Sequence, residues 1–281
     1  MWKHKMKHNE FKFQAADKLQ IYAQEWKPDS ESAAVICLIH GKGEHSGRYS
    51  HLASVLTGAG YTLLAFDLRG HGKSQGKRGH SASYEVLMCD IAYFLKEATS
   101  RFTNLPLFLY GHSMGGNLAL NYVIRRQVKL AGVIATSPWL SLAFKCSAWK
   151  SITAKILYKL FPSFAVCDNI DNKYLSRDPK VVSAYENDPL VHDKISVRLA
   201  LDIIESGKWA LENAGRLSLP LLLMHGTSDF MTSPEASRNF INRVSCDCTY
   251  KFWEGLYHEI HNEPEQKEVF EFMLQWLKAH Q

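Results

Sequence analysis

The stretch FLYGHSMGG, Phe108 to Gly116, ends an apolar run with a serine set between glycines. A tight turn of no chemical consequence would need only the glycines. A nucleophile needs more: a hydroxyl raised on a strained corner between a strand and a helix, with glycine where side chains would clash. The run before Ser113 reads as a strand and Met114 to Arg125 as a helix, which favours the nucleophile. A serine hydroxyl is inert at neutral pH without a base. With 13 histidines in the chain, no single one argues for itself. Chain order decides instead, because in G-x-S-x-G hydrolases the order is serine, acid, histidine. HGTSD sets Asp229 just past one strand-like run, and GLYHEIH sets His258 just past another. His258 would take the serine proton, and Asp229 would fix the imidazole tautomer and stabilise its cation. His261 is the nearest rival base. His112 is expected to turn away into the packing, and Asp188 and Asp202 are rival acids in a segment of different character.

Acyl transfer of this kind also needs two backbone N–H groups for the developing oxyanion. One should come from Met114, directly after the serine. The other should come from HGKGEHSGRY, His40 to Tyr49, where Lys42 holds the donor position. The plain reading of that loop is a glycine-rich turn capping the next helix; its Glu44, His45 and Arg48 argue for more. Asp67 and Arg69 in FDLRGHGKS are read as residues that lock a loop.

These residues need a scaffold that brings strand ends together. VICLIH (Val35–His40) is apolar on both faces, as a buried parallel strand is. Tyr61–Asp67, LPLFLYG, Ala131–Ser137, Leu219–Gly226 and Cys248–Gly255 read the same way. Between them lie helical patterns over Arg48–Gly60, Ser83–Thr99 and Met114–Arg125, with another over Glu265–His280 at the end. Segments near Phe11–Phe13 and Ile21–Trp26 suggest an antiparallel entry hairpin. The alternation predicts an α/β fold: a mostly parallel central sheet with helices on both faces. Ligands in such sheets bind at the carboxyl ends of the strands.

The exception is 138–216, where no strand is read while both flanks keep the strand–helix rhythm. It is expected to be an inserted helical cap on a core made of 1–137 and 217–281. Trp149, Ile152, Ile156, Leu157, Leu160, Phe161 and Phe164 form one wide apolar helical face there. It is either an ordinary core-facing helix or a lid that lines an acyl pocket or meets a membrane, and its place in an insertion favours the lid.

Composition narrows the classes. The chain has 281 residues, 46% hydrophobic and 22% charged, enough for a large core and too apolar for disorder. Net charge is only +5 without a Lys/Arg cluster, which argues against a nucleic-acid partner. No apolar run nears the ~20 residues that span a bilayer, and MWKHKMKHNE lacks the apolar core of a signal peptide. That N-terminal stretch is read as a frayed tail, or else a basic arm on anionic lipid. Cys37, Cys89, Cys146, Cys167, Cys246 and Cys248 are scattered, as in reduced thiols of a cytoplasmic protein with peripheral membrane contact at most, and no metal-ligand spacing is present.

HGKGEHSGRY, FDLRGHGKS, GHSMGG and YHEIH together resemble the monoacylglycerol lipase family of serine α/β-hydrolases, which shades into lysophospholipase-like proteins. The similarity runs from about Gln20 to the C-terminus and includes YENDPL (Tyr185–Leu190) in the insertion. It implies an α/β-hydrolase fold and hydrolysis of monoacylglycerols to fatty acid and glycerol, without cofactor or metal. It gives Ser113, Asp229 and His258 the triad roles and the Lys42 and Met114 backbones the oxyanion hole. It further implies that Glu44, Arg48 and His261, with Tyr185, line a polar pocket for the glycerol end. Lys42 departs from the small residue often found there, and DFMTS after the acid lacks the cysteine of some animal members. A lysophospholipid or small carboxylester as substrate, an acyltransferase, and a non-catalytic lipid binder are the alternatives.

Overall fold

The computed structural model describes residues 6–144, 157–167 and 171–281. The hairpin expected at the start is longer than expected: β1 (Lys7–Gln14) pairs antiparallel with β2 (Gln20–Lys27). Residues 7–10 are therefore strand rather than frayed tail. β1 sits at the sheet edge, and its exposed Lys7, Glu10 and Lys12 are the charges that discourage edge-to-edge pairing. From there β3 (Val35–Ile39), α1 (Ser50–Gly58), β4 (Thr62–Phe66), α2 (Tyr84–Arg101), β5 (Leu107–His112), α3 (Met114–Arg125) and β6 (Gly132–Thr136) follow the anticipated rhythm.

Together with two later strands, β9 (Leu221–Gly226) and β10 (Cys248–Trp253), they build an eight-stranded sheet of order β1-β2-β4-β3-β5-β6-β9-β10. Every pairing is parallel except β1–β2 and β2–β4. β3, β4, β5, β6 and β9 are buried along their whole length. Alternate residues feed two cores, which is why both faces read apolar. Val35, Cys37 and Ile39 join α2 and α3 on one side. Ile36 and Leu38 join α1 and the closing helix on the other.

The expected cap, 138–216, differs from its strandless reading. It holds β7 (Ala165–Cys167) and β8 (Lys194–Ser196), a short antiparallel ribbon. It also holds α4 (Pro179–Glu186) and α5 (Val197–Asn213). α5 is a layer helix: Leu199, Ile203 and Ala210 share the core of Leu118 and Tyr122 on α3. The seam is polar as well as apolar. Asn117 and Asn121 of α3 donate to the carbonyls of Ile203 (3.2 Å) and Ser206 (3.1 Å). Trp149, Ile152 and Ile156 of the expected apolar face lie outside the described residues. Of its described members, Leu157 is half-buried, while Leu160, Phe161 and Phe164 stand more than half exposed. α6 (Pro234–Ile241), not anticipated, and α7 (Gln266–Ala279) complete the chain. No disulfide joins the described cysteines, and among the described residues no helix is long and apolar enough to cross a membrane.

The turn from β5 into α3 leaves no room for a side chain at its glycines. A Cβ on Gly115 would overlap the carbonyl oxygens of Ile39 and His40, the latter at 2.6 Å. Both are backbone atoms of the adjacent strand end and cannot swing aside. Gly115→Ala is expected to destabilise the protein by about 3 kcal/mol, the upper range of overpacking costs. Urea unfolding would read it, and a loss under about 0.5 kcal/mol would mean that the elbow has slack.

Candidate active site

Ser113 has φ 54° and ψ −115°, a left-handed backbone that only glycine adopts without strain. The structure holds it there by its flanks. Its N–H donates to Thr136 O at 3.0 Å, and its carbonyl accepts Asn117 N (3.0 Å) and Trp139 N (2.9 Å). The hydroxyl lies 2.9 Å from His258 Nε2, and His258 Nδ1 lies 2.7 Å from Asp229 Oδ2. The three residues come from the ends of β5, β9 and β10, so parallel neighbours in the sheet do the gathering. All three are buried. Neither Asp188 nor Asp202 touches His258: Asp188 pairs with His45 at 2.9 Å, and Asp202 accepts from Tyr158.

Asp229 is saturated with donors. Oδ2 accepts from His258, from His225 Nε2 (3.0 Å) and from the Thr232 hydroxyl (2.8 Å). Oδ1 accepts the backbone N–H groups of Met231 (2.7 Å) and Thr232 (3.0 Å). Burial opposes its charge, but His258, followed by the His225 hydrogen bond, more than compensates and holds the carboxyl far below its ordinary value. Burial likewise opposes a charged His258, and the Asp229 charge outweighs it, so the imidazole titrates above its ordinary 6.5. The sequence reading gave no role to His225 or Thr232. The i to i+4 spacing of His225 and Asp229 across a strand end was the available signal.

Met114 opens α3, where the first N–H groups have no carbonyl four residues back and the helix dipole favours negative charge. Lys42 borders the same cavity as Ser113. That cavity is about 320 Å³ and opens at the carboxyl edge of the sheet, its wall including Trp139, Leu142, Leu175, Val191 and Met231. Glu44, Tyr185, Asp188 and Glu259 also border it. His112, expected to turn into the packing, is buried but borders it too, with its ring 4.9 Å from that of His258.

Arg48 and His261, expected in the glycerol pocket, stand behind its wall. Arg48 is spent on two buried carboxylates, donating to Glu44 Oε2 at 2.7 Å and to both oxygens of Glu259 at 2.6 and 2.8 Å. Tyr185 covers its guanidinium at 4.7 Å. Burial works against a charged Glu259, but Arg48 wins and its pKa falls to about 2. His261 stacks on Tyr49 at 5.0 Å and meets His112 edge-on at 4.7 Å, and burial drops its pKa to about 3. The ring is held by packing alone: its buried Nδ1 has no hydrogen-bond partner among the described residues. Among the described residues no cluster of three or more His, Cys, Asp or Glu is arranged to hold a metal ion.

Known proteins carry the same arrangement of chain. Residues 30–265 match the family model described as serine aminopeptidase, S33. A monoacylglycerol lipase of Mycolicibacterium smegmatis is 35% identical over 97% of this chain and 98% of that protein. An uncharacterized abhydrolase domain-containing protein of Dictyostelium discoideum is 40% identical over 94% of this chain, which spans only 28% of that longer relative. The crystal structure of a monoacylglycerol lipase from Paleococcus ferrophilus superposes with a TM-score of 0.84 at 35% identity, covering 99% of this chain and 100% of that one.

Proposed function

Because the chain belongs to the monoacylglycerol lipase family of serine α/β-hydrolases, within the wider serine aminopeptidase S33 model, we propose that this carboxylic ester hydrolase cleaves monoacylglycerols to fatty acid and glycerol. The observation that carries the proposal is the hydrogen-bonded line from Ser113 through His258 to Asp229. His258 removes the proton as Ser113 Oγ attacks the ester carbonyl. The resulting oxyanion takes hydrogen bonds from the Met114 and Lys42 N–H groups. His258 then protonates the departing glycerol oxygen, leaving an acyl-serine, and water repeats the sequence to release the acid.

The cavity wall supports a neutral head group. Glu44, Glu186, Asp188, Asp193 and Glu259 border it, against Lys42 as the cation, while Arg48 sits behind. A phosphate there would meet like charge, whereas glycerol hydroxyls can donate to carboxylates. Lys42 is the one feature that favours the rival, a lysophospholipid. The apolar wall suits the acyl chain, and we place the exposed Phe144, Leu160, Phe161 and Phe164 at a lipid surface, as a peripheral contact of a cytoplasmic protein. On this reading the substrate-covering part of 138–216 ends near Ser196, before the layer helix α5.

Acid release from mono-oleoylglycerol, di-oleoylglycerol and lyso-phosphatidylcholine, with Ser113→Ala as blank, tests this. The monoglyceride is expected to exceed the lysolipid by at least about tenfold in kcat/KM, roughly 1.4 kcal/mol of discrimination. Equal or better rates on the lysolipid would reassign the substrate.

A further inference from the structure

Two side chains outside the Ser113–His258–Asp229 line grip the backbone at the end of β3. His40 is fully buried. Its Nε2 accepts the Leu68 N–H at 2.9 Å, so the neutral ring carries its proton on Nδ1. That proton goes to the carbonyl of Gly41 at 2.7 Å. From the other side Glu44 Oε1 accepts the Gly41 N–H at 2.6 Å. The same oxygen accepts the Tyr49 hydroxyl at 2.7 Å, and Oε2 takes Arg48 at 2.7 Å. Both hydrogen-bonding groups of Gly41 are therefore fixed by buried side chains.

The consequence falls on the next atom pair. The Gly41 carbonyl and the Lys42 N–H belong to one planar trans peptide, so fixing the direction of the first fixes that of the second. Gly41 itself lies against the nucleophile: a Cβ there would be 3.2 Å from Ser113 Cβ and 2.9 Å from Glu44 Oε1. A hydrogen bond on a carbonyl also polarises its amide, strengthening the N–H as a donor by about 10–30%. We propose that His40 and Glu44 are positioning residues, which together aim the Lys42 N–H at the oxyanion formed on Ser113. The inference rests on the serine-hydrolase reading above. It also changes the part expected of Glu44, whose carboxylate is committed to three protein donors before any glycerol arrives. His40 must stay neutral for this, since a proton on Nε2 would face the Leu68 N–H; burial disfavours the cation.

The test uses the full-length protein and a short ester, p-nitrophenyl butyrate, so that it does not depend on the lipid head group. His40→Ala is expected to lower kcat by about 10²-fold, the lower end for losing one oxyanion donor, with KM changed less than about threefold. His40→Asn returns an N–H near the Nδ1 position and should recover at least about tenfold of that loss. An oleyl trifluoromethyl ketone, which forms the tetrahedral adduct, should lose affinity in step with kcat/KM. The unreactive ether 1-O-oleylglycerol should bind unchanged. Equal losses in His40→Ala and His40→Asn, or a KM effect with kcat intact, would overturn the clamp. Should His40→Ala fail to fold, Glu44→Gln reads the other half: the neutral amide accepts the Gly41 N–H more weakly and should cost about fivefold in kcat alone. Unchanged kcat there would also count against it. Wild type that hydrolyses the short ester but no monoglyceride would sink the substrate proposal and leave the clamp standing. No Ser113-dependent hydrolysis at all would remove both.

Discussion

Ser113→Ala is expected to lower kcat on every ester by on the order of 10⁶-fold, while the protein unfolds at nearly the wild-type urea concentration. The two halves have separate causes. Activity is lost because His258 Nε2 faces the Ser113 hydroxyl, while the Thr232 hydroxyl lies on the Nδ1 side and is bonded to Asp229, and the residual rate comes from binding and the oxyanion donors alone. Stability is nearly kept because alanine inherits the same backbone. The φ of 54° costs about 1–3 kcal/mol for any residue with a Cβ, and removing the hydroxyl does not refund it. Ser113→Gly separates strain from chemistry. It should be equally inactive yet more stable than Ser113→Ala by about 1 kcal/mol, the relief of strain less the extra entropy of glycine in the unfolded chain. Measuring kcat and urea midpoints of both variants decides it. Residual turnover above about 10⁻³ of wild type in either variant would mean that another group attacks the ester. A glycine variant no more stable than the alanine one would mean that the elbow is not strained.

The parts of this molecule that were legible in the sequence are those whose environment is the same at every residue. β3, β5 and β9 are covered on both faces, so their runs are apolar throughout and announce themselves. Ser113 and Asp229 follow such strands, whereas His258 follows the half-exposed edge strand β10, and parallel strands deliver all three ends to one edge. β7 and β8 were not legible, because three-residue strands carry no period and their pairing joins Val166 to Ile195 across the fold. α5 carried a strong amphipathic pattern, yet pattern alone cannot say that its partner is α3. α6 did have a signal: Ser233 caps the Ala236 N–H at 3.1 Å and Pro234 takes the first helical position. Arg48 and His261 misled for a physical reason. Polar residues beside a site look like ligand contacts, but a buried charge must first be satisfied by the protein, as Glu44 and Glu259 satisfy Arg48, and a buried neutral imidazole can be held by packing, as His261 is on Tyr49. His40 and His225 were hidden among many histidines, since only burial and partners distinguish a positioning imidazole from a surface one.

Asp229→Asn tests the site without emptying it. Whichever way the amide sits, its NH₂ must face donors. On the Oδ1 side it would meet the Met231 and Thr232 backbone N–H groups, which cannot turn around. On the Oδ2 side it meets His225, Thr232 and His258, which can adapt by changing tautomer or rotating. The amide is therefore expected to take the Oδ2 side and force His258 to accept on Nδ1. Its proton then sits on Nε2, facing Ser113, and it can no longer act as base. The expected loss is about 10⁴-fold in kcat. The pH profile supplies the second readout. The base works only when neutral, and Asp229 raises the His258 pKa, so wild-type kcat/KM should fall on the acid side with a midpoint above 6.5. Without the Asp229 charge, burial is left as the largest influence on the imidazole, and burial disfavours its cation. The acid limb of the variant should move to lower pH even as its plateau collapses. Activity within tenfold of wild type at pH 8 would show that His258 does not depend on Asp229 for its tautomer. An acid limb that stays in place would show that the charge controlling His258 is elsewhere, with Glu259 and Glu44, whose charges also act on it, the carboxylates to examine.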